Sequence, residues 1–495
     1  MTKTSNSNQV MWVAVGQFAA YAIGIIGPMI LSRYFSVADY GTYKQVMYVY
    51  NTLLIVFTMG LPKAYSYFIP RVSLQESKDV IKKISRLFTI IGVIFSLFLY
   101  IGSGFIANLL HNPDLDLAIK YFSPTPLFLL PTMGLEAILA SYKRAKHIAL
   151  FSLASRIFIL ICTIIPVLLF KGDYLQSIIG FDIASFFTCI LAHYLKYLPT
   201  SKVEKQRTHV SHKEIFSFSL PLLSASLWIM LYHSTNQFFV SRYYGNSAFA
   251  EFSNGFTEFP LITMIVNSVA AVLAPLFSEY AVRDKNAIGP IWQAALNKTV
   301  KLIYPITIYC VIFSDVVMTC FYGSKYTSSD IFFSIKSIEG FFFVIPFYPI
   351  LTALGKTKEY SSAQMIFAIF LLLFEFILVK IGVPVYMIGV AYILSSFGKV
   401  IYQFAIVKRS IGIPTNVLIP HKTMLKTTLL SIIASIIPIS VHYYLSHLNE
   451  WLSLTITVSI FCLIYYLLCW ITHLSYRDIA ESFIGEHKAL LKFIP

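Results

Sequence analysis

The stretch "LSRYFSVADYGTYKQV", residues 31–46, decides how this chain is read. It follows a long, nearly uncharged run and then sets Arg33, Asp39 and Lys44 close together. The chain later repeats the pattern as "VSRYYGNSAFAEFS", residues 240–253, again after a long apolar run. A corner of arginine, aromatics and glycine thus occurs twice, about two hundred residues apart.

The surroundings of the corner are those of a membrane protein. Apolar residues make up 57% of the 495-residue chain and charged ones 12%, and the mean hydropathy is +0.71. Soluble domains carry about twice that share of charge. Apolar runs of roughly twenty residues, each able to cross a hydrocarbon core about 30 Å thick, recur from end to end. The strand alternation of an outer-membrane barrel is missing. The first run, Val10 to Leu31, reads as a spanning helix, because only Lys3 precedes it as a basic residue and no small-residue cleavage motif follows. The six cysteines sit inside apolar runs without C-x-x-C or histidine spacing, so neither a disulfide nor a metal site is expected.

The runs predict an all-α polytopic protein of fourteen helices. Six span 10–32, 43–62, 84–107, 118–140, 149–170 and 176–196. Six more span 215–241, 251–277, 297–319, 330–353, 358–380 and 386–407, and two follow at 425–446 and 452–474. With both termini cytoplasmic, 30 of the 38 lysines and arginines fall on the inner side and 8 on the outer, as the positive-inside rule requires. One missed helix would reverse every later loop and destroy that bias. The net charge of +15 is then directed at anionic headgroups, and no soluble basic stripe invites a nucleic acid. Loops are short, so any chemistry belongs to the bundle.

Aligned at Arg33 and Arg242, Ser32-Arg33-Tyr34 meets Ser241-Arg242-Tyr243, Tyr40 meets Phe249, and Gly41 meets Ala250. Both copies end the first helix of a six-helix block. The expected organisation is an N-lobe, 1–201, a C-lobe repeating it, 202–410, and two further helices with a tail, 411–495. Internal repeats of this kind are typical of secondary transporters, with the substrate at the repeat interface.

Residues 31–71 carry a family resemblance. Ser32-Arg33, Asp39-Tyr40-Gly41-Thr42-Tyr43, and Gly60-Leu61 with Ala64 closing helix two resemble the opening of Wzx-type polysaccharide transporters, which flip O-antigen and related repeat units. The resemblance implies the multidrug/oligosaccharidyl-lipid/polysaccharide exporter fold, with two six-helix lobes in a V around a central cavity. It implies a polyprenyl-diphosphate-linked oligosaccharide as substrate, turned from the cytoplasmic to the periplasmic leaflet of a bacterial inner membrane. Alternating access coupled to Na+ or H+ is expected, with no other cofactor and no enzymatic activity. Partners would be membrane lipids and the polysaccharide polymerase and chain-length machinery.

Such a substrate needs a wet cleft with cationic donors, arginine offering forked hydrogen bonds to phosphate. Ionised residues within spans are costly and should face a cavity or a partner. The candidate cations are Arg33, Lys44, Lys63, Arg156, Arg242, Lys336 and Lys399, and the candidate carboxylates are Glu136, Asp182, Glu258, Glu339 and Glu375. Plainer readings stand beside these. Arg33 and Lys44 could snorkel to the interface, Glu136 and Arg156 could pair across helices, and Lys336 and Glu339, three apart, could form a local pair. Asp182 and Glu375 have no same-helix partner and are the better candidates for ion coupling. Tyr43, Tyr48, Phe252 and Tyr309 are candidates for stacking on sugar rings. Gly24, Gly27, Pro28, Pro221, Pro346 and Pro349 mark helix interruptions.

Two other functions compete. A drug/cation antiporter of the same superfamily would want fewer cavity cations and a dominant carboxylate. A membrane glycan polymerase or ligase would want a sizeable outer loop with catalytic residues, and none is long enough. Neither a nucleophile–base set nor a phosphate-binding glycine loop occurs.

Overall fold

The computed structural model describes residues 6–201, 203–344, 347–444 and 449–479. Lys3, Pro346 and the tail beyond Ile479 lie outside the described residues. Among those described, the chain is helical without strands and divides into two compact units, 1–250 and 251–495.

The first unit holds α1 (Asn6–Tyr34), α2 (Val37–Thr58), α3 (Pro62–Phe68), α4 (Leu74–Leu109), α5 (Asp114–Phe122), α6 (Thr125–Leu129), α7 (Leu135–Ser141), α8 (Ala145–Phe170) and α9 (Tyr174–Tyr197). The long α10 (His212–Gly255) carries the chain over the division at Ala250. The second unit holds α11 (Pro260–Arg283), α12 (Ile288–Ile312), α13 (Ser314–Tyr322), α14 (Ser329–Ser337) and α15 (Tyr348–Ala353). It continues with α16 (Thr357–Ile381), α17 (Tyr386–Ile411), α18 (Thr415–Leu418), α19 (His421–Tyr444) and α20 (Glu450–Ile471).

Each expected span overlaps helix, but several are not single rods. By length and apolarity 11 helical segments can cross a membrane among the described residues, or 12 if the pair bent by 78° between α12 and α13 counts as one. The expected span 118–140 is interrupted by a 3-10 turn at Leu130–Thr132 and by Gly134 at φ +76°. The expected span 330–353 breaks into α14, a 3-10 turn at Ile338–Phe341, and α15. Prolines remove helical donors and glycines admit left-handed backbone, so such runs cannot stay continuous. The loop expected near 242–250 is instead helical, kinked at Gly245, φ +85°. The break falls later, at Phe259, which is extended ahead of Pro260, as a residue before proline prefers.

Helix starts follow local chemistry. Ser73 and Glu76 form a capping box at α4, and Asp173 and Gln176 form another at α9, satisfying orphan amides. Along α4, Phe88 and Phe95 are fully buried, whereas Ile101 is 79% and Phe105 71% exposed. Apolar residues facing outward are what hydrocarbon permits and water penalises. The last two helices dock on the bent α12–α13 pair. Tyr309 Oη lies 2.9 Å from Thr457 Oγ1, and His442 Nε2 lies 3.0 Å from Asp315 Oδ2.

Candidate functional site

Four of the twelve proposed charged residues meet in the second unit. Lys336 sits in the last turn of α14, Glu339 in the following 3-10 turn, Lys399 in α17, and Glu258 in the break before α11. Lys336 Nζ pairs with Glu339 Oε2 and lies 3.6 Å from Glu258 Oε1. Ser396 Oγ donates to Glu339 Oε1 at 2.5 Å. Lys399 is in electrostatic reach of Glu339, Lys336 and Glu258. Lys336, Glu339 and Lys399 are buried.

Aromatic rings complete the setting. Lys336 Nζ lies 4.6 Å from the centroid of Tyr392 and 5.4 Å from that of Phe256, and the two rings meet edge to face at 5.2 Å. The convergence of α10 on α14 requires Gly255, where a Cβ would collide with the carbonyl oxygen of Ser329. A buried pair recovers its desolvation cost only with good geometry and extra hydrogen bonds, and Ser396 and the rings supply these. Glu258 is the loose member. Its side chain is 49% exposed, and it also accepts from Thr263 Oγ1 at 3.1 Å. The arrangement is two cations and two carboxylates, one of them displaceable. An incoming anion could take the place of Glu258 on Lys336.

The remaining candidates are dispersed. Arg33, Lys63, Arg156 and Glu136 are exposed. Glu136 accepts from Ser152 Oγ at 3.3 Å, not from Arg156. Lys44 is half-buried, with Nζ 5.5 Å from the Tyr40 ring. Asp182 accepts from Thr125 Oγ1. Glu375 is fully buried in α16, and neither of its carboxylate oxygens has a hydrogen-bond partner. Of the aromatic candidates, Phe252 is fully buried, Tyr309 bonds Thr457, and Tyr48 Oη donates to the carbonyl of Ser234 at 3.1 Å. Phe252 therefore has no face left for a sugar, while Tyr48 and Tyr309 are tied into packing by these bonds.

Arg242 belongs to a second cluster, where the two copies of the corner touch. Its guanidinium donates to the carbonyl of Leu109 at the end of α4, and its own carbonyl lies 2.9 Å from His111 Nδ1. A cation at a helix C-terminus is favoured by the dipole. Gln45 Nε2 donates to Ser241 Oγ at 2.8 Å. Asn112 Nδ2 donates to Gln45 Oε1 at 2.5 Å and to Thr42 Oγ1 at 3.0 Å. A Cβ at Gly41 would collide with the carbonyl oxygen of Asn246. Asp39 acts locally, its amide donating to the N-cap Ser36 Oγ at 3.1 Å. The corner residues therefore join α2 to α10.

Sequence reasoning missed Gln45, Asn112 and Lys196, all buried. Lys196 lies at the end of an apolar run beside Tyr197 and reads as one more interfacial lysine. An uncharged amide in a spanning helix gives no signal until its partners are known.

Comparison with known proteins sets these features in a family. No curated protein matches the sequence. Among solved structures, the lipid II flippase MurJ in an inward closed conformation superposes with a TM-score of 0.71 at 17% identity, covering 95% of this chain and 100% of that one. An inward-facing multidrug resistance MATE family transporter of the MOP superfamily gives 0.64 at 11% identity, covering 79% and 94%. A MOP superfamily transporter from Pyrococcus furiosus gives 0.56 at 10% identity, covering 82% and 95%. At these identities the likeness is one of fold alone. The family model described as "Polysaccharide biosynthesis protein" matches residues 7–281, more than half of the chain, so this multi-pass membrane protein belongs to that family.

Proposed function

We propose that this protein is a flippase that turns polyprenyl-diphosphate-linked oligosaccharide units, O-antigen or a related surface polysaccharide, from the cytoplasmic to the outer leaflet of a bacterial inner membrane. Alternating access of the halves 1–201 and 202–410 carries the sugar head across while the polyprenyl tail stays in lipid. The observation that carries this reading is the cluster of half-exposed Glu258 with the buried Lys336, Glu339 and Lys399. A diphosphate offers more negative charge than one exposed carboxylate, so it can displace Glu258 and draw on both lysines. The family match and the likeness in fold to a lipid II flippase support the same reading.

Coupling to H+ or Na+ falls to Glu375 and Asp182. A buried carboxylate with no partner is costly as a bare anion, and a proton or cation removes that cost. On this reading a glycan polymerase and its chain-length machinery act downstream, as the class of reaction that consumes the flipped product.

Deleting the gene tests the proposal. Surface polysaccharide should vanish while lipid-linked precursor collects in the cytoplasmic leaflet. Complementation with Lys399→Gln, which leaves the Lys336–Glu339 pair in place, should fail although the protein reaches the membrane. Precursor appearing normally in the outer leaflet of the deletion strain, with no second flippase present, would overturn the reading. Loss of drug resistance instead would favour the antiporter, and new glycosidic bonds made by the purified protein would favour a polymerase.

A further inference from the structure

Lys196, in the last turn of α9, is 1% exposed, and among the described residues no carboxylate is its partner. Its ammonium is enclosed by oxygen. Nζ lies 2.5 Å from the carbonyl of Pro131, 3.0 Å from that of Met133, 3.3 Å from Tyr65 Oη and 3.5 Å from Ser85 Oγ. Tyr65 Oη and Ser85 Oγ are themselves 2.9 Å apart. Two ring faces close the remainder, with the Tyr65 centroid at 5.1 Å and the Phe88 centroid at 5.9 Å.

The two carbonyls are free because the helix breaks there. The 3-10 turn Leu130–Thr132 ends at Met133, ψ 141°, and Gly134 is left-handed before α7 begins. Carbonyls ahead of an N-cap accept no bond from the helix that follows. Gly134 also makes room for the cage, since a Cβ there would strike the Tyr65 ring. Backbone carbonyls from a broken span, joined by hydroxyls, are how membrane proteins hold alkali cations. Ring faces add attraction for a monovalent charge. With no carboxylate in the shell, nothing favours a divalent ion.

We propose that this cage is a monovalent-cation site that the chain fills with its own lysine. Lys196 is a tethered ion. It holds the break between α6 and α7 shut against α3, α4 and α9, so no diffusible coupling ion acts at this break in the intact protein. Removing the ammonium and leaving space creates a site for free ammonium or potassium.

The test uses the full-length protein purified in detergent, with thermal unfolding followed in ammonium, potassium or choline chloride at equal ionic strength. Lys196→Ala should unfold at a lower temperature than wild type in choline. Ammonium or potassium should restore part of the loss, beyond any salt effect on wild type. A variant equally unstable in all three salts would overturn the proposal. Lys196→Met fills the cage with an apolar chain, and it keeps the idea exposed to test where Lys196→Ala does not accumulate. Its amides at residues 133–138 should exchange hydrogen at least tenfold faster than in wild type, with no recovery in any salt. Exchange at the wild-type rate would equally overturn it.

Discussion

Gln45 Nε2 donates to Ser241 Oγ at 2.8 Å, joining residues 196 positions apart. Ser241 opens the second copy of the serine-arginine corner and Gln45 closes the first. The two similar stretches are thus in physical contact, with Asn112 bonded to Gln45 from the turn after α4.

Gly41→Ala should destabilise the protein, because the new methyl meets the backbone of Asn246 and not a side chain that can turn away. Overpacking of this kind costs about 1–3 kcal/mol. Gly24, whose Cβ would meet nothing within 4 Å, is the control, and Gly24→Ala should leave the melting temperature unchanged or slightly raised. Thermal unfolding of the two purified variants compares them directly.

Gln45→Leu and Asn112→Leu should each cost about 1–3 kcal/mol, since each leaves a buried polar partner unsatisfied. The double variant should cost less than the two added together, because one network is lost only once. A double-mutant cycle on unfolding midpoints measures the coupling, and additive effects would contradict the network.

Lys336→Met should be far more damaging than Glu258→Gln. The first strands Glu339 as a buried charge, a loss of about 3–5 kcal/mol. The second removes a half-exposed contact at 3.6 Å, a class of pair worth about 0–1 kcal/mol. Adding Glu339→Gln to Lys336→Met should recover much of the stability but none of the flipping. Protein level in the membrane and surface polysaccharide, read side by side, separate the two effects.

Glu375→Gln should fold at least as well as wild type, because it replaces a buried unpartnered carboxylate by a neutral side chain of similar shape. Flipping of a lipid-linked oligosaccharide in proteoliposomes should then lose its response to an imposed H+ or Na+ gradient. Retention of the full gradient response would remove Glu375 from the coupling role and leave Asp182.

Much of this was legible in residue order. The apolar runs give the helices, since hydrocarbon demands about twenty apolar residues per crossing. Residues 31–71 give the family resemblance. The breaks were only half legible. Pro349, which marks an interruption in the sequence, lies at the start of α15 after the break in 330–353. The expected span 118–140, however, runs straight through Pro131 and Gly134, where the helix in fact breaks, and the 78° bend between α12 and α13 has no sequence signature.

The sequence by itself determined the class of protein, an all-helical multi-pass membrane protein, and the list of charges that hydrocarbon would not tolerate alone. It did so because burial in lipid is decided residue by residue. Which charges meet was decided only by tertiary structure. Lys336 finds Glu258, 78 residues away in the chain, while Arg156 and Glu136, close in sequence, do not pair. Lys196 takes its partners from a helix break and not from an acid. Partnership depends on which helix faces approach, and no local pattern encodes that approach.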